Sequence, residues 1–259
     1  SNLKLKQQVM AQETIGQTSL ARVSFTIKGV LLYSLFFEAV GTVILTIAWM
    51  QEYDFTRAFF YAAFYSVSAF NNGGFSLFPN SLMSFADHYL ITFTISMLYI
   101  IGGIGFVVLM DIKRARRWKK LSTNSKLILS TIAGLNLVAF IVIWALEANN
   151  PLTLSSMSLG DQALNSWFHA TVPRSSGFNS LDMSKMTDAS TLVTMILMFI
   201  GGGSLSTAGG IKVGTFIIVV LSVITFLRRS EELRVFNHSV SKTTSFKALA
   251  VVSITAILI

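Results

Sequence analysis

The sequence predicts an all-α, multi-pass membrane protein, and its composition and its uncharged runs carry that prediction. Of its 259 residues, 53% are hydrophobic and 12% are charged, and soluble chains carry about twice that charged fraction. The uncharged runs 89–110 and 127–146 are each long enough to cross a hydrocarbon core of ~30 Å. A further run, 29–50, is interrupted by a single charge at Glu38.

The positive charge is distributed as expected for membrane topology. The net charge is +8, and sixteen of the twenty Lys and Arg residues fall in 1–28, in KRARRWKK (113–120) with Lys126, and in 228–247. These are juxtamembrane segments, which the positive-inside rule places on the cytoplasmic side. Most acidic residues then collect on the opposite side. A nucleic-acid partner is not expected from this arrangement.

Placing all basic segments on one side requires the short runs 55–70 and 161–171 to enter the membrane and turn back. The chain then contains two copies of one unit, in which Gly74-Phe75 and Gly177-Phe178 recur 103 residues apart. Each unit has an outer helix (29–50, 127–148), a short re-entrant pore helix (56–69, 161–171), a filter loop (70–76, 173–179) and an inner helix (88–111, 190–228). The second inner helix is predicted to be broken by GGGSLSTAGG (201–210).

This pattern predicts six segments. They are a cytoplasmic connector (1–28), a pore repeat (29–111), a basic cytoplasmic loop (112–126), a second pore repeat with a broken inner helix (127–228), a second connector (229–247) and the start of a transmembrane helix (248–259). Twelve largely apolar residues follow Lys247, too few to span a bilayer. We therefore expect the sequence to be a fragment.

The two filter loops suit a site for a dehydrated cation. Non-helical backbone at membrane depth must be buried or line a wet cavity. Glycine permits conformations in which carbonyl oxygens replace a hydration shell. An ordinary Asn-Gly turn is the alternative for one loop, but two copies in register favour a filter. The predicted filter residues are Asn71, Asn72, Gly73, Gly74, Arg174, Ser175, Ser176 and Gly177. The carbonyls of Asn72, Gly73, Gly74, Ser175, Ser176 and Gly177 are predicted to hold a dehydrated alkali cation, with the asparagine side chains as struts or water ligands.

The glycine-rich loop (201–212) cannot hold a stable helix, because each glycine costs about 1 kcal/mol relative to alanine. It suits a flexible plug or hinge; close helix packing through small residues is the alternative. Its predicted functional residues are Gly201, Gly202, Gly203, Ser204, Ser206, Thr207, Gly209, Gly210 and Lys212. The Lys212 charge either sets a barrier to cations, or it snorkels or pairs with a carbonyl. A nucleotide-binding P-loop is excluded, because Ile211 precedes this lysine and Val213 follows it.

Other polar residues are expected to have structural roles. Glu38 lies mid-span in an outer helix and is predicted to be a buried, hydrogen-bonded carboxyl. Arg174 would repel a bound cation if it faced the site, so we expect it to turn away and brace its loop, with Asp182 as a candidate partner. No cysteine is present, and the three histidines (His88, His169 and His238) lack ligand spacing, so we expect no metal centre. No catalytic constellation is visible, and we predict no enzyme activity.

Four stretches resemble the Trk/Ktr/HKT superfamily of potassium transporters, most closely the KtrB subunits of bacterial Ktr systems. They are SAFNNGGFS (68–76), TVPRSSGFNSLD (171–182), GGGSLSTAGGIKVGTF (201–216) and EELRVFNHSVS (231–241). The resemblance identifies them as the second and third filter loops of a four-repeat pore, the broken inner helix whose loop obstructs the pore as a gate, and the connector into the fourth repeat.

The resemblance also implies ion transport or symport of K⁺, with Na⁺ as an alternative, and no organic cofactor. It implies a homodimer in the bacterial inner (plasma) membrane, with basic connectors in the cytoplasm and a nucleotide-binding regulatory ring docked there. KRARRWKK (113–120) is either an anchor to anionic membrane lipid or part of that docking surface. A Na⁺-permeable relative, a non-conducting scaffold and a membrane enzyme subunit are the alternative functions.

Overall fold

The apolar runs form helices in the computed structural model, which describes residues 20–229, 234–235, 238–240 and 242–258. The helices are α1 (Leu20–Trp49), α2 (Phe55–Phe70), α3 (Tyr89–Ile104), α4 (Phe106–Ala115), α5 (Thr123–Glu147), α6 (Leu159–Thr171), α7 (Asp188–Phe199), α8 (Val213–Leu227) and α9 (Lys242–Leu258). Two-residue strands, β1 (Arg234–Val235) and β2 (His238–Ser239), pair antiparallel.

An all-α membrane fold is confirmed by the length and composition of these helices. Ile27–Trp49 of α1 and Thr123–Glu147 (α5) are each long and apolar enough to cross a membrane, and α3 with α4 forms a third candidate as a bent pair. Large apolar side chains remain exposed on α5 and α7, including Leu137, Ile141 and Ile196. Such surfaces are suited to contact with lipid.

The chain divides into two compact units, residues 1–37 and 38–259. In the first unit, the rings of Tyr33 and Phe37 lie 6.4 Å apart and Leu32 and Leu35 are exposed. The second unit contains α2 to α9 and both filter loops. Residues 1–19 of the predicted first connector, and 230–233, 236–237 and 241 of the second, lie outside the described residues.

Within the second unit, hydroxyl side chains cap the N-termini of three helices. Ser122, Ser158 and Thr187 each accept a hydrogen bond from the amide three residues further on, at 3.2 to 3.3 Å, and so cap α5, α6 and α7. Such caps satisfy an amide that has no partner inside its own helix. The short helices α2 and α6 pack against α3, and α6 also packs against α5. This packing brings the ends of α2 and α6 together.

The first inner helix differs from the prediction. We predicted one helix over 88–111, but α3 and α4 meet at Gly105 with a bend of 91°. Gly105 has φ of +99°, and a Cβ there would overlap the carbonyl oxygen of Ser204. Instead of continuing the α3 hydrogen bonds, the amide of Phe106 donates to the carbonyl of Leu205 at 3.0 Å. The helix therefore breaks where the glycine-rich loop packs against it.

The second inner helix is interrupted as predicted, with α7 ending at Phe199 and α8 beginning at Val213. Ile200 and Ile211 form an isolated parallel bridge that closes the base of the glycine-rich loop. Around this base, a small core joins α4, α5 and α8. Its buried members are Val108, Ile128, Ile132, Ile200 and Val213.

We predict that Gly105→Ala destabilises the protein by roughly 2 kcal/mol or more, because a side chain is strained at positive φ and overlaps the Ser204 carbonyl. The change is measured as the thermal midpoint in detergent, with size-exclusion chromatography used to monitor the folded fraction. Gly134→Ala on α5 is the matched control, because a Cβ there meets nothing within 4 Å and alanine favours helix. Equal midpoints for the two variants would contradict the role of Gly105.

Candidate functional site

The first filter loop begins where α2 ends. Asn71 is the C-cap of α2, and the next two amides turn back onto helix carbonyls. The amide of Asn72 donates to the carbonyl of Ala69 at 3.0 Å, and that of Gly73 donates to Ser68 at 2.8 Å. The loop therefore starts from a fixed backbone position at the C-terminal, partly negative end of a helix.

A tyrosine fixes the far side of this loop. The hydroxyl of Tyr65 accepts hydrogen bonds from the amides of Leu77 and Phe78 at 3.1 and 3.2 Å and pairs with Ser76 Oγ at 2.6 Å. Its ring is fully buried and lies 5.2 Å from that of Trp49. The sequence analysis missed Tyr65, although a tyrosine close before an irregular loop was an available signal.

The second filter loop is held in a similar way from α6. The amide of Ser176 donates to Val172 at 3.1 Å, and buried His169 accepts a hydrogen bond at Nε2 from the amide of Leu181 at 3.1 Å. Asn165 Oδ1 accepts from Ser180 Oγ at 2.6 Å. His169 was considered only as a metal ligand, and its backbone contact was missed. No group of three or more potential metal-ligating side chains occurs in the described ranges.

The two loops have positive φ at matched positions. Positive φ occurs at Asn72 (53°) and Gly74 (66°) in the first loop, and at Ser175 (90°) and Gly177 (77°) in the second. These positions match at the offset of 103 residues that the sequence repeat gives. Because non-glycine residues rarely adopt this conformation, its recurrence indicates that both loops have the same design.

The glycines of the two loops meet backbone to backbone. A Cβ on Gly74 would lie 2.5 Å from the carbonyl oxygen of Ser176 and 2.7 Å from Cα of Gly177. A Cβ on Gly177 would lie 3.1 Å from Cα of Gly74. The absence of a side chain at both positions is what permits this approach. Gly177 is exposed and Gly74 is half-buried.

One side chain joins these loops to the rest of the unit. Asn72 donates from Nδ2 to Thr207 Oγ1 at 2.7 Å and to the carbonyl of Tyr99 on α3 at 3.3 Å. Its Oδ1 accepts from Ser176 Oγ at 3.2 Å. The Asn72 amide therefore connects the first filter loop to the second, to α3 and to the glycine-rich loop.

The glycine-rich loop contacts both filter loops. Thr207 Oγ1 donates to the carbonyl of Phe70 at 3.0 Å, and the amide of Gly209 donates to Ser175 Oγ at 2.8 Å. Its first three glycines (201–203) are buried, and the amide of Gly203 donates to the carbonyl of Gly103 on α3 at 2.8 Å. The glycine-rich loop is therefore tied to both filter loops and to α3.

Of the two alternatives for Lys212, the structure shows the carbonyl contact. Its Nζ donates to the carbonyl of Ala208 at 2.7 Å, within the same loop. Ser204 is exposed, whereas the buried hydroxyl of Ser206 lacks a hydrogen-bond partner among the described residues. The lysine ammonium is thus held by the glycine-rich loop itself.

Arg174 has a different partner from the predicted candidate. The guanidinium is 9% exposed and donates through Nη2 to Asn136 Oδ1 on α5. Asp182 instead pairs with Lys185 at 3.5 Å, and the Ser184 hydroxyl, aided by Lys185, lowers the pKa of Asp182. Asp182 lies in a loop close to solvent and pairs with the nearby Lys185, while the Arg174 side chain points into the protein. Asn136 is the one side-chain amide in the uncharged run 127–146, and its isolation there could have indicated a polar partner for Arg174.

Glu38 contacts the first filter loop. Its Oε1 accepts from Asn71 Nδ2 at 2.7 Å, and its backbone carbonyl accepts from Ser66 Oγ at 2.7 Å. The residue is half-buried where a buried carboxyl was predicted. The expected hydrogen bond is present, and its donor belongs to the predicted filter.

Comparisons with known proteins agree with one another. A family model described as TrkH, a cation transport protein, matches residues 1–254. The Ktr system potassium uptake protein B of Bacillus subtilis (strain 168) is 40% identical over 255 residues, with 98% of this chain and 57% of that protein covered. The protein of the same name from Vibrio alginolyticus is 39% identical, with 96% and 55% covered.

The crystal structure of the potassium transporter TrkH from Vibrio parahaemolyticus matches the fold with a TM-score of 0.74 at 19% sequence identity. The match covers 93% of this chain and 51% of that structure. The chain therefore spans just over half the length of the relatives that it matches.

We predict that Tyr65→Phe lowers stability by about 1–3 kcal/mol, because two backbone amides lose their acceptor. Thermal unfolding in detergent gives the change. Tyr61→Phe on the same helix is the control, because the Tyr61 hydroxyl makes none of these contacts while its ring packs against Phe78 at 5.1 Å. A Tyr65→Phe midpoint as high as that of the control would show that the loop does not depend on this hydroxyl.

Proposed function

The chain belongs to the TrkH family of cation transport proteins, and from that premise we propose that it supplies two walls of a potassium-conducting pore. The family is one of transporters rather than enzymes. In this proposal, K⁺ crosses a bacterial inner membrane by gated permeation through a filter of carbonyl oxygens. The names of the two Ktr relatives, each a potassium uptake protein, support K⁺ as the transported ion.

The observation that carries the proposal is the meeting of two matched loops at Gly74 and Gly177. Each loop follows a short helix whose C-terminal end carries partial negative charge. The carbonyls proposed to bind K⁺ belong to residues 72–74 and 175–177. Carbonyl rings of this kind hold K⁺ by replacing its hydration water. Two of the four walls of such a filter would come from this chain.

The glycine-rich loop is proposed to be the gate. It contacts the first filter loop through Thr207 and the second through Gly209. Because each hydrogen bond contributes about 1 kcal/mol, a few such contacts hold a closed state that can still open. The Lys212 ammonium, fixed to its own loop, would add a charge barrier while the loop is in place.

The basic cytoplasmic loop (112–126) is proposed to contact anionic lipid or a nucleotide-binding regulatory ring, in a homodimeric assembly. Buried Asp111 accepts from the amide of Ser122 at 2.8 Å and pairs with Arg114 at 3.1 Å. These contacts hold the ends of the loop. The exposed side chain of Trp118 lies among its lysines and arginines, as in segments that bind membrane surfaces.

Rubidium uptake tests the filter. In transport-deficient cells that express the intact transporter, we expect Gly74→Ser and Gly177→Ser each to weaken rubidium affinity by roughly tenfold or to let sodium compete. The physical reason is that a side chain at either position displaces the facing loop. Gly134→Ser, which faces open space, is the control. Wild-type uptake in both filter variants would favour a non-conducting scaffold or an enzyme subunit instead.

Basal uptake tests the gate. We expect Ser175→Ala to raise uptake in the resting state by about fivefold, because it removes one hydrogen bond of about 1 kcal/mol from the closed loop. Thr207→Val is expected to raise uptake by more, because Thr207 makes two such bonds, with Asn72 and Phe70. Ser204→Ala, an exposed hydroxyl in the same loop, is the control. Uptake that is unchanged in both variants while protein levels hold would place the gate elsewhere.

A further inference from the structure

We propose that the guanidinium of Arg174, held by Asn136, is a fixed positive charge behind the second filter loop that lowers the cation affinity of the filter. The inference rests on the proposed function, since it assigns a residue that tunes the same pore. It assigns Arg174 an electrostatic role in addition to bracing its loop.

The positive charge of Arg174 has no counter-ion in the described part of the chain. Arg174 is 9% exposed, and its Nε has no hydrogen-bond partner there. The ion pairs found there are formed by Arg57, Arg114 and Lys185. An arginine side chain stays protonated even when it is buried. Its field is therefore not cancelled locally.

The second step is that the partner of Arg174 is neutral although a carboxylate would fit. Asn136 is 4% exposed and presents Oδ1 to the guanidinium from α5. Aspartate has nearly the same shape as asparagine, so this site could hold an ion pair without repacking. The amide orients the arginine and leaves its charge intact.

The third step is the position of the charge. Arg174 adjoins Ser175, whose carbonyl is a proposed K⁺ ligand, and lines a cavity of about 20 Å³. Asn72, Tyr99 and Gly202 line the same cavity. At an effective dielectric constant near 20, a unit charge within about 10 Å of an ion changes the occupancy of that ion by roughly tenfold. The guanidinium is thus placed to weaken cation binding from behind the loop.

The test neutralises the charge in place. In the intact transporter, Asn136→Asp is expected to lower the half-saturating rubidium concentration by roughly tenfold. It is expected to lower the Ba²⁺ concentration needed for block by a larger factor, because the interaction energy of a divalent ion with the same charge is twice as large. Arg174→Gln, which removes the charge, is expected to shift both values in the same direction. Asn136→Leu, which loses the hydrogen bond but keeps the charge, should not tighten either value.

Lys185→Gln is the matched control, because it removes a cation near the same loop that is exposed and screened. If Asn136→Asp fails to fold, Arg174→Gln decides the question alone. Either of two results would overturn the electrostatic role. One is that rubidium and Ba²⁺ affinities of the folded charge variants stay within twofold of wild type. The other is that these affinities are weakened in all Arg174 and Asn136 variants alike. Absence of rubidium uptake in the wild-type transporter would instead defeat the proposed function.

Discussion

The side-chain amide of Asn72 is the point at which the candidate site is held together. It donates to Thr207 of the glycine-rich loop and to the carbonyl of Tyr99 on α3, and it accepts from Ser176 of the second filter loop. Primary amides carry both donors and an acceptor, so one such side chain can join three elements that no regular secondary structure connects. The same residue has a left-handed φ, which aims its amide away from the end of α2. Loop conformation and loop coupling thus depend on one position.

Close backbone contact is the second constraint, and it explains why the glycines are grouped. Gly74 and Gly177 meet across the filter loops, while Gly102 lies against the carbonyl of Phe70 and Gly203 against that of Ile104. A methyl group at Gly74, Gly102 or Gly203 would overlap backbone atoms of a neighbouring segment, and backbone, unlike a side chain, cannot rotate away. Irregular backbone at membrane depth needs partners for its amides, and here those partners are supplied by neighbouring backbone at close range. The bend at Gly105 follows from the same packing.

The sequence predicts the helices and the repeat well, because uncharged runs and glycine clusters are local signals. It could not predict the bend between α3 and α4, since the cause is a loop one hundred residues later whose carbonyl takes the amide of Phe106. The residues 71–74 and 174–177 could be identified as a site from their repetition. Their supports could not, because the contacts of Tyr65, His169 and Asn136 are long-range hydrogen bonds made by residue types that also occur in ordinary cores. The predicted Arg174–Asp182 pair was wrong because Lys185, only three residues from the aspartate, pairs with it, while Arg174 reaches Asn136 on α5.

Several charges of the described chain, unlike buried Asp111 with its ion-pair partner Arg114, are stabilised by neutral dipoles, and this determines how far their fields reach. Glu147 is fully buried and accepts from Asn150, Thr153 and Thr187 at 2.6 to 2.9 Å. Glu38 accepts from an asparagine amide, while Arg174 and Lys212 donate to uncharged oxygens. An ion pair cancels its own field within a few ångströms, whereas a charge held by dipoles continues to act on other ions in a low-dielectric interior. Under the proposed function, such an arrangement would let a few side chains fixed by packing set the potential along the ion path without touching the ion.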